Sequence, residues 1–478
     1  MKKLLLISLS IMVAIVASTL ARGALPVSPP ASVRKPNIVL FLVDDMTAAD
    51  VEHLPTLNQF ATQGVRFTRF VSPTPVCSPS RASILRGQYS HNTFQLFNSG
   101  FRPFYLSGFD KETIAVWLQR AGYATALFGK YLNGYLGRMT YIPPGWTEWY
   151  AGGPAAGYDF ILNENGIPVK YSEPGPHIND QLAHLAAGFI DRHHDEPMFL
   201  YISSTSPHAP AIPAHRHEGL FRYAQLPQGP SFNEMDVSDK PKYIQKFSEK
   251  PADELLRLEK FRNRLRSLRS VSDLINTVTA ALVRNGVRDN TYFVFVSDNG
   301  WFYGEHRIPR GKIAPYESAN IVPAWIWGPG IPSGVTRNHL VANSDLAQTF
   351  AEWAGAKVPS FVDGRSLVPV LKSTPTPISE WRQAILLAYD ENIFHPFPTV
   401  NNSIPHYFGL LTNAEKYVRY ETHEEEYYLH ASDPYEMQSQ HKNPLWKNRI
   451  SELLRWAQAF GDCYGQTCRV LDRAPPPN

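Results

Sequence analysis

Three cysteines among 478 residues, at positions 77, 463 and 468, are too few to be incidental. Cys463 and Cys468 lie close together near the C-terminus and have each other as obvious partners, which leaves Cys77 alone. The alternative, Cys77 bridged to one of them, strands a thiol in either case. An excess of one charge is also lacking. With 46 Lys+Arg against 43 Asp+Glu, the net charge of +3 excludes the basic footprint of a nucleic-acid or membrane-surface binder. Beyond residue 24 there is no apolar run long enough for a stable membrane span. Internal repeats are absent, and low complexity is confined to a short Pro-rich tail.

At the N-terminus, Lys2 and Lys3 precede an apolar stretch over residues 4–17, with small residues around 17–24. This pattern predicts a cleaved signal peptide over residues 1–24, or an uncleaved anchor as the alternative, and hence a secreted, periplasmic or lysosome-like protein. In such a compartment a lone thiol is either selected against or used. The sequon Asn401-Asn402-Ser403 agrees with a secretory route. The length allows one large core and a smaller second unit.

Apolar runs at 37–43, 123–128, 198–203, 291–297 and 321–327 have the Val, Ile, Phe and Tyr content of strands buried on both faces. Helical stretches at 54–63, 79–86, 113–121, 178–193, 252–285 and 344–354 alternate with them. The fold class expected is α/β, a mixed, largely parallel sheet between helices. From about residue 369 the texture changes. Strand-like runs at 384–389, 406–412, 417–421 and 426–430 and a closing helix at 445–459 predict a small C-terminal antiparallel-sheet subdomain. The domain expectation is therefore a main domain over 36–370 and a cap over 380–478. Residues 214–250 lack periodicity and read as an ordered excursion near the ligand face.

Two strand-like runs end in acidic clusters: 37–43 leads into Asp44-Asp45, and 291–297 leads into Asp298-Asn299. Ligands of open α/β sheets bind outside the carboxyl ends of the strands. Three carboxylates and an amide oxygen form a hard-oxygen set suited to Ca²⁺ or Mg²⁺, and the lack of histidine in either cluster disfavours zinc. Taken singly, each cluster also fits a helix cap or turn. Cys77 precedes Pro79, a residue favoured in a first helical turn, and Arg81 falls within that turn. A helix start with an arginine suits an oxyanion. Alone, Cys77 equally fits a buried inert thiol.

The run Cys77-Ser78-Pro79-Ser80-Arg81-Ala82-Ser83-Ile84-Leu85-Arg86-Gly87, followed by Gly122-Tyr123-Ala124-Thr125-Ala126-Leu127-Phe128-Gly129-Lys130, resembles the two signatures of the type I sulfatases of the alkaline-phosphatase-like superfamily. Similarity extends through residues 36–45, Ser206-Pro207-His208-Ala209-Pro210, 297–300 and 312–323, and so covers most of the chain.

The resemblance implies that a formylglycine-generating enzyme converts Cys77 to formylglycine (3-oxoalanine). It implies a metal site of Asp44, Asp45, Asp298, Asn299 and the modified Cys77, usually for Ca²⁺. Arg81 and Lys130 match groups that hold the aldehyde hydrate and the sulfate. His208 and Lys312 match groups that bind the ester and assist the leaving oxygen, and His306 is a further substrate-binding candidate. Outside their motifs, the two lysines would read as solvated cations and His208 as a turn residue. One geminal hydroxyl of the hydrate would attack sulfur, and the other would expel sulfate as the carbonyl re-forms.

One departure concerns Leu132, which stands where many arylsulfatases carry a histidine as the base for that expulsion. Gly129-Lys130-Tyr131-Leu132-Asn133 and Pro144-Gly145-Trp146 instead look like the N-acetylglucosamine-6-sulfatase branch, with Asn133 a possible substrate contact. The expected activity is hydrolysis of a sulfated carbohydrate or glycosaminoglycan end. Alternatives are a broad arylsulfatase on small sulfate esters, a phosphate or phosphonate monoester hydrolase, and a sulfated-glycan binder without turnover.

Overall fold

A computed structural model describes residues 34–153, 157–247, 254–390 and 404–475. The expected signal peptide, the 401–403 sequon and residues 248–250 of the aperiodic excursion lie outside the described residues. In chain order the strands of the main sheet begin with β1 (Asn37–Val43) and β2 (Val65–Phe67). A short pair is formed by β3 (Phe70–Val71) with β12 (Val341–Ala342). The main sheet continues with β4 (Ala124–Lys130), β5 (Glu148–Gly152), β6 (Phe160–Glu164), β7 (Ile167–Tyr171), β8 (Met198–Ser203), β9 (Thr291–Ser297), β10 (Ala324–Trp327) and β11 (Val335–Arg337).

These ten strands lie in the order β11-β2-β10-β9-β1-β8-β4-β5-β6-β7. The centre is parallel, β9 to β1 to β8 to β4 to β5. Its strands are apolar on both faces because both faces are covered. Ile38, Leu40 and Leu42 of β1 enter one core, and Val39, Phe41 and Val43 enter the other. Helix Ile178–His193 and the 31-residue helix Glu254–Arg284 cover the second of these faces.

Local bounds differ from the sequence reading where a long-range partner decides them. The expected strand at 321–327 begins only at Ala324 and runs antiparallel to β9. The expected strand at 123–128 is shifted to end at Lys130, which brings that side chain to the sheet edge. The helix expected from Pro79 begins at Cys77, with Val76 as an N-cap that makes no side-chain hydrogen bond.

The C-terminal region forms an antiparallel sheet of β13 (Ala384–Tyr389), β14 (Tyr407–Thr412), β15 (Glu415–Tyr420) and β16 (Glu425–Leu429). Helix Lys447–Gly461 presents Ile450, Leu453, Trp456, Ala457 and Phe460 to it, a 3–4 residue spacing that forms one apolar stripe. The same core takes Val76, Tyr89, Ile313 and Tyr316, so this sheet packs beside the start of the Cys77–Arg86 helix. Cys463 and Cys468 are joined by a disulfide with an S–S distance of 1.99 Å.

Gly129 sits at φ +101°, and a Cβ there would lie 2.1 Å from the Ser203 carbonyl oxygen. The two residues are register partners of β4 and β8, so neither backbone can retreat without opening the sheet. Gly129→Ala is expected to destabilise the protein by on the order of 3 kcal/mol. A lowered melting temperature is the readout, and an unchanged one would mean that the strand pair can shift.

Candidate active site

Strand register builds the site. Val43 pairs with Ser297, so the residues that follow, Asp44-Asp45 and Asp298-Asn299, emerge side by side. Asp298 N donates to Val43 O, at 3.0 Å, and Asp45 N donates to Asp298 Oδ1, at 3.2 Å. Asp45 adopts φ +73°, a left-handed turn that an Asp tolerates and that aims its carboxylate back into the cluster. Asp44, Asp45 and Asp298 are fully buried, with oxygens within 4.8 Å of one another.

Cys77 opens its helix against this cluster, 1% exposed, and its Sγ lies 3.3 Å from Asp44 Oδ1. One turn later, Arg81 donates from Nε to Asp298 Oδ2 at 2.9 Å, and from Nη1 to Ser203 Oγ at 2.5 Å and Lys130 O at 3.0 Å. Lys130 Nζ donates to Asp44 Oδ2 at 2.5 Å. Lys312 Nζ bonds Asp45 Oδ1 and lies 2.7 Å from Cys77 Sγ. His208, one-third exposed, places Nε2 3.8 Å from Asp45 Oδ2, while its Nδ1 faces the Ala209 carbonyl at 2.7 Å.

Three carboxylates in a dry cavity require compensation, and Arg81, Lys130 and Lys312 supply it charge for charge. Burial works against ionisation of Asp44, but Lys130, His208, Arg81 and Lys312 outweigh it and hold its carboxyl well below the usual range. Burial likewise opposes Asp45, and Lys312 with His208 and Arg264 still lowers it. Asp298 moves the other way, raised by burial and by neighbouring Asp44. Burial, then Asp44, pushes the Cys77 thiol up to about 12.

The compensation is incomplete in one respect. Asp45 Oδ2 and Asn299 Oδ1 are buried with no hydrogen-bond partner, and so is Arg81 Nη2. Orphaned hard oxygens beside three carboxylates fit a divalent cation of the Ca²⁺ or Mg²⁺ kind, and an orphaned guanidinium N–H fits an anionic oxygen.

Residues 77, 81, 130, 208, 312, 44, 45, 298 and 299 therefore converge. His306 does not join them. It is 2% exposed, stacks on Tyr316 at 4.2 Å and bonds Glu234 through Nδ1 at 2.7 Å. Burial pushes its imidazole down to about 3, which keeps His306 uncharged near neutral pH, and raises the Glu234 carboxyl to about 7. Leu132 is fully buried in the core.

A family profile described as sulfatase matches residues 36–356, and one described as N-sulphoglucosamine sulphohydrolase, C-terminal, matches residues 304–458. The chain belongs to the sulfatase family. The human protein named N-acetylglucosamine-6-sulfatase is 32% identical over 75% of this chain and 68% of its own length. The Drosophila melanogaster protein named extracellular sulfatase SULF-1 homolog is 33% identical over 74% of this chain and 33% of its own. The chain thus spans about a third to two-thirds of the length of the first curated relatives it matches.

Among solved structures, BT4656, described as in complex with its substrate D-glucosamine-2-N,6-O-disulfate, aligns with TM-score 0.79 at 24% identity, covering 92% of this chain and 99% of that one. The phosphonate monoester hydrolase SpPMH from Silicibacter pomeroyi aligns at 0.69 and 22% identity, covering 88% and 94%. These likenesses establish the alkaline-phosphatase-like fold of this sulfatase chain.

Sequence reasoning passed over two contributors. Ser203 ends β8, and the strand-end rule that singled out Asp44 would have found it. Arg264 lies inside helix Glu254–Arg284 and donates to the backbone oxygens of Asp45 and Pro207 and to Tyr303 Oη. No local pattern marks it, because its role is defined by chain segments far away in sequence.

Proposed function

We propose that this chain is a sulfuric ester hydrolase acting on sulfated sugars, with glucosamine 6-sulfate at a glycosaminoglycan end as the preferred class and Cys77 in its formylglycine form. The observation that carries the reading is the convergence of Cys77, three buried carboxylates and three cations at one sheet edge. A plain thiolate serves poorly there. Burial and Asp44 raise the thiol to about 12, which favours its protonated form.

Asp44, Asp45, Asp298 and Asn299 would hold the cation, Ca²⁺ in preference to Mg²⁺, beside the residue at 77. When bound, the cation supplies Lewis acidity toward sulfate oxygens, and the aldehyde, as its hydrate, supplies the nucleophilic oxygen. Arg81 has one N–H to spare, Nη2, and directs it at an entering sulfate oxygen. Lys130 and Lys312 add positive charge around the same group. Lys312, the cation nearest position 77, is held protonated by Asp45 and its other acidic neighbours, so it would steady negative charge on that side chain and not take its proton; Leu132, buried in the core, offers no base either.

His208 Nδ1 donates to the Ala209 carbonyl, so Nε2 is the nitrogen turned to the site, and from the doubly protonated imidazolium it would give its proton to the departing alcohol. His208→Gln is expected to lower kcat about 10²- to 10³-fold on sugar sulfates, whose alcohols leave poorly. On a nitrophenyl sulfate, which leaves without help, the loss should be small. Equal losses on both would remove His208 from the acid role.

The names of the relatives and the C-terminal profile support a sulfated amino sugar as substrate, and the disulfated glucosamine described for BT4656 supports the same class. Export, with modification by a formylglycine-generating enzyme on the way, is supported by a relative named extracellular. We assign catalysis to residues 36–370 and capping to 380–478, since the C-terminal sheet shares a core with the residues around Cys77. The test is paired release of sulfate and phosphate from matched esters. Sulfate from glucosamine 6-sulfate is expected. Phosphate alone would favour the monoester hydrolase reading, and glycan binding with no release and an intact Cys77 thiol would favour a binding protein.

A further inference from the structure

A cavity of about 670 Å³ opens beside the acidic cluster and is used by none of the chemistry above. Its connection to the cluster runs through Arg264, which lines it and bonds the Asp45 backbone, and through Trp301, two residues beyond Asn299. Helix Glu254–Arg284 forms one wall, turning Arg257, Lys260 and Arg264 to the cavity at i, i+3 and i+7. Arg310 closes the wall opposite in sequence, and no carboxylate lines the space.

Arg264 is spent: it lies 5.0 Å over the Trp301 ring and is bonded to Tyr303 and to Asp45 and Pro207 backbone oxygens, with Asp50 at 3.5 Å. The other three cations keep free N–H groups, although Arg257 also lies 5.9 Å over the Phe232 ring. Among the described residues, Arg257, Lys260 and Arg310 enter no ion pair, and Arg257 Nε is buried without a hydrogen-bond partner. Cations gathered around a concavity repel one another and concentrate the field within it. A solvated helix face would not bury an orphaned guanidinium N–H. Half-buried Trp301 adds a flat apolar surface of the kind that pyranose rings stack on.

We propose that this cavity is a second anion subsite, which takes a sulfate or carboxylate group on the sugar adjoining the one whose ester is cleaved. The preferred substrate is then a multiply charged oligosaccharide and not an isolated monosulfated sugar. This inference rests on the sulfated-sugar reading above, but its test does not depend on turnover.

Binding is measured by calorimetry with the full chain carrying Cys77→Ala, so that nothing is consumed. The probes are a fully sulfated tetrasaccharide and the same tetrasaccharide bearing one terminal 6-sulfate. The parent is expected to bind the first more tightly, with an affinity that falls steeply with salt. Arg257→Gln/Lys260→Gln/Arg310→Gln should weaken the fully sulfated probe roughly 30-fold, flatten its salt dependence and leave the monosulfated probe within about twofold. Lys260→Glu/Arg310→Glu, confined to exposed side chains, should act in the same direction and guards against misfolding of the triple variant.

Equal affinity of parent and both variants for the fully sulfated probe would overturn the subsite. So would equal weakening of both probes. If the difference holds but the wild-type chain releases no sulfate from either probe, the functional reading fails and the subsite stands.

Discussion

Cys77→Ala is expected to lower sulfate-ester turnover by at least about four orders of magnitude while the protein stays folded. The side chain is 1% exposed and faces Asp44 and Lys312, so no other group occupies the position from which a nucleophile could reach an ester held by Arg81 and Lys312. Alanine suits the first turn of a helix, and losing one small buried side chain costs about 1–2 kcal/mol, a fraction of the stability of a domain this size. The companion measurement is the mass of the Cys77 peptide. Active preparations should carry the aldehyde, in which oxygen replaces sulfur and two hydrogens are lost. Preparations that retain the thiol should be inactive, because a thiol lacks the second geminal hydroxyl that expels sulfate after the attack. Full activity from thiol-bearing protein would sink the reading.

Calcium is expected to raise the melting temperature and a chelator to lower it, and calcium and sulfate should each tighten binding of the other. The argument is one of charge. Asp44, Asp45 and Asp298 are already balanced by Arg81, Lys130 and Lys312, with two oxygens left over on Asp45 and Asn299. A dication satisfies those oxygens and leaves the pocket with an excess of positive charge, which an anion relieves.

At a concentration one hundred times its dissociation constant, the cation should stabilise the fold by about 2.7 kcal/mol. By linkage, sulfate should bind on the order of tenfold more tightly with calcium than without, and calcium should gain by the same factor with sulfate. Asp298→Asn, which removes one carboxylate and the Arg81 Nε ion pair, should abolish the calcium-dependent shift in melting temperature. Calorimetry of sulfate with and without calcium checks the coupling, and independent affinities would refute it.

How much of this was legible beforehand differs residue by residue. Strands 37–43, 198–203 and 291–297 were readable to the residue, because apolar runs bounded by polar clusters are a local signal. The acidic tips followed from the same runs. The antiparallel direction of β10 and the hairpin of β6 and β7 were not readable, since a strand's direction is decided by its neighbours in space. In the sequence His208 lies between two prolines and His306 follows Gly304-Glu305, and neither run by itself says which ring reaches the site. Only the packing separated them, burying one against Glu234 and Tyr316 and leaving the other beside Asp45.

What the amino-acid order determined by itself was the set of chemical groups: a lone thiol at the start of a helix, two acidic strand ends, Arg81 and Lys130 of the two signature runs, and Lys312. Their types follow from local composition, which no folding step alters. The tertiary structure alone decided which of them meet. Lys312 reaches Cys77 because Ile313 is held at φ +87° with its carbonyl accepting from Tyr407 Oη, 94 residues away in the C-terminal sheet. The cavity beside Trp301 exists because Arg257, Lys260 and Arg264, more than 30 positions upstream on one helix, are laid against that loop. Contacts of that range depend on how separate segments pack together, and packing is a property of the folded chain and not of any stretch of it.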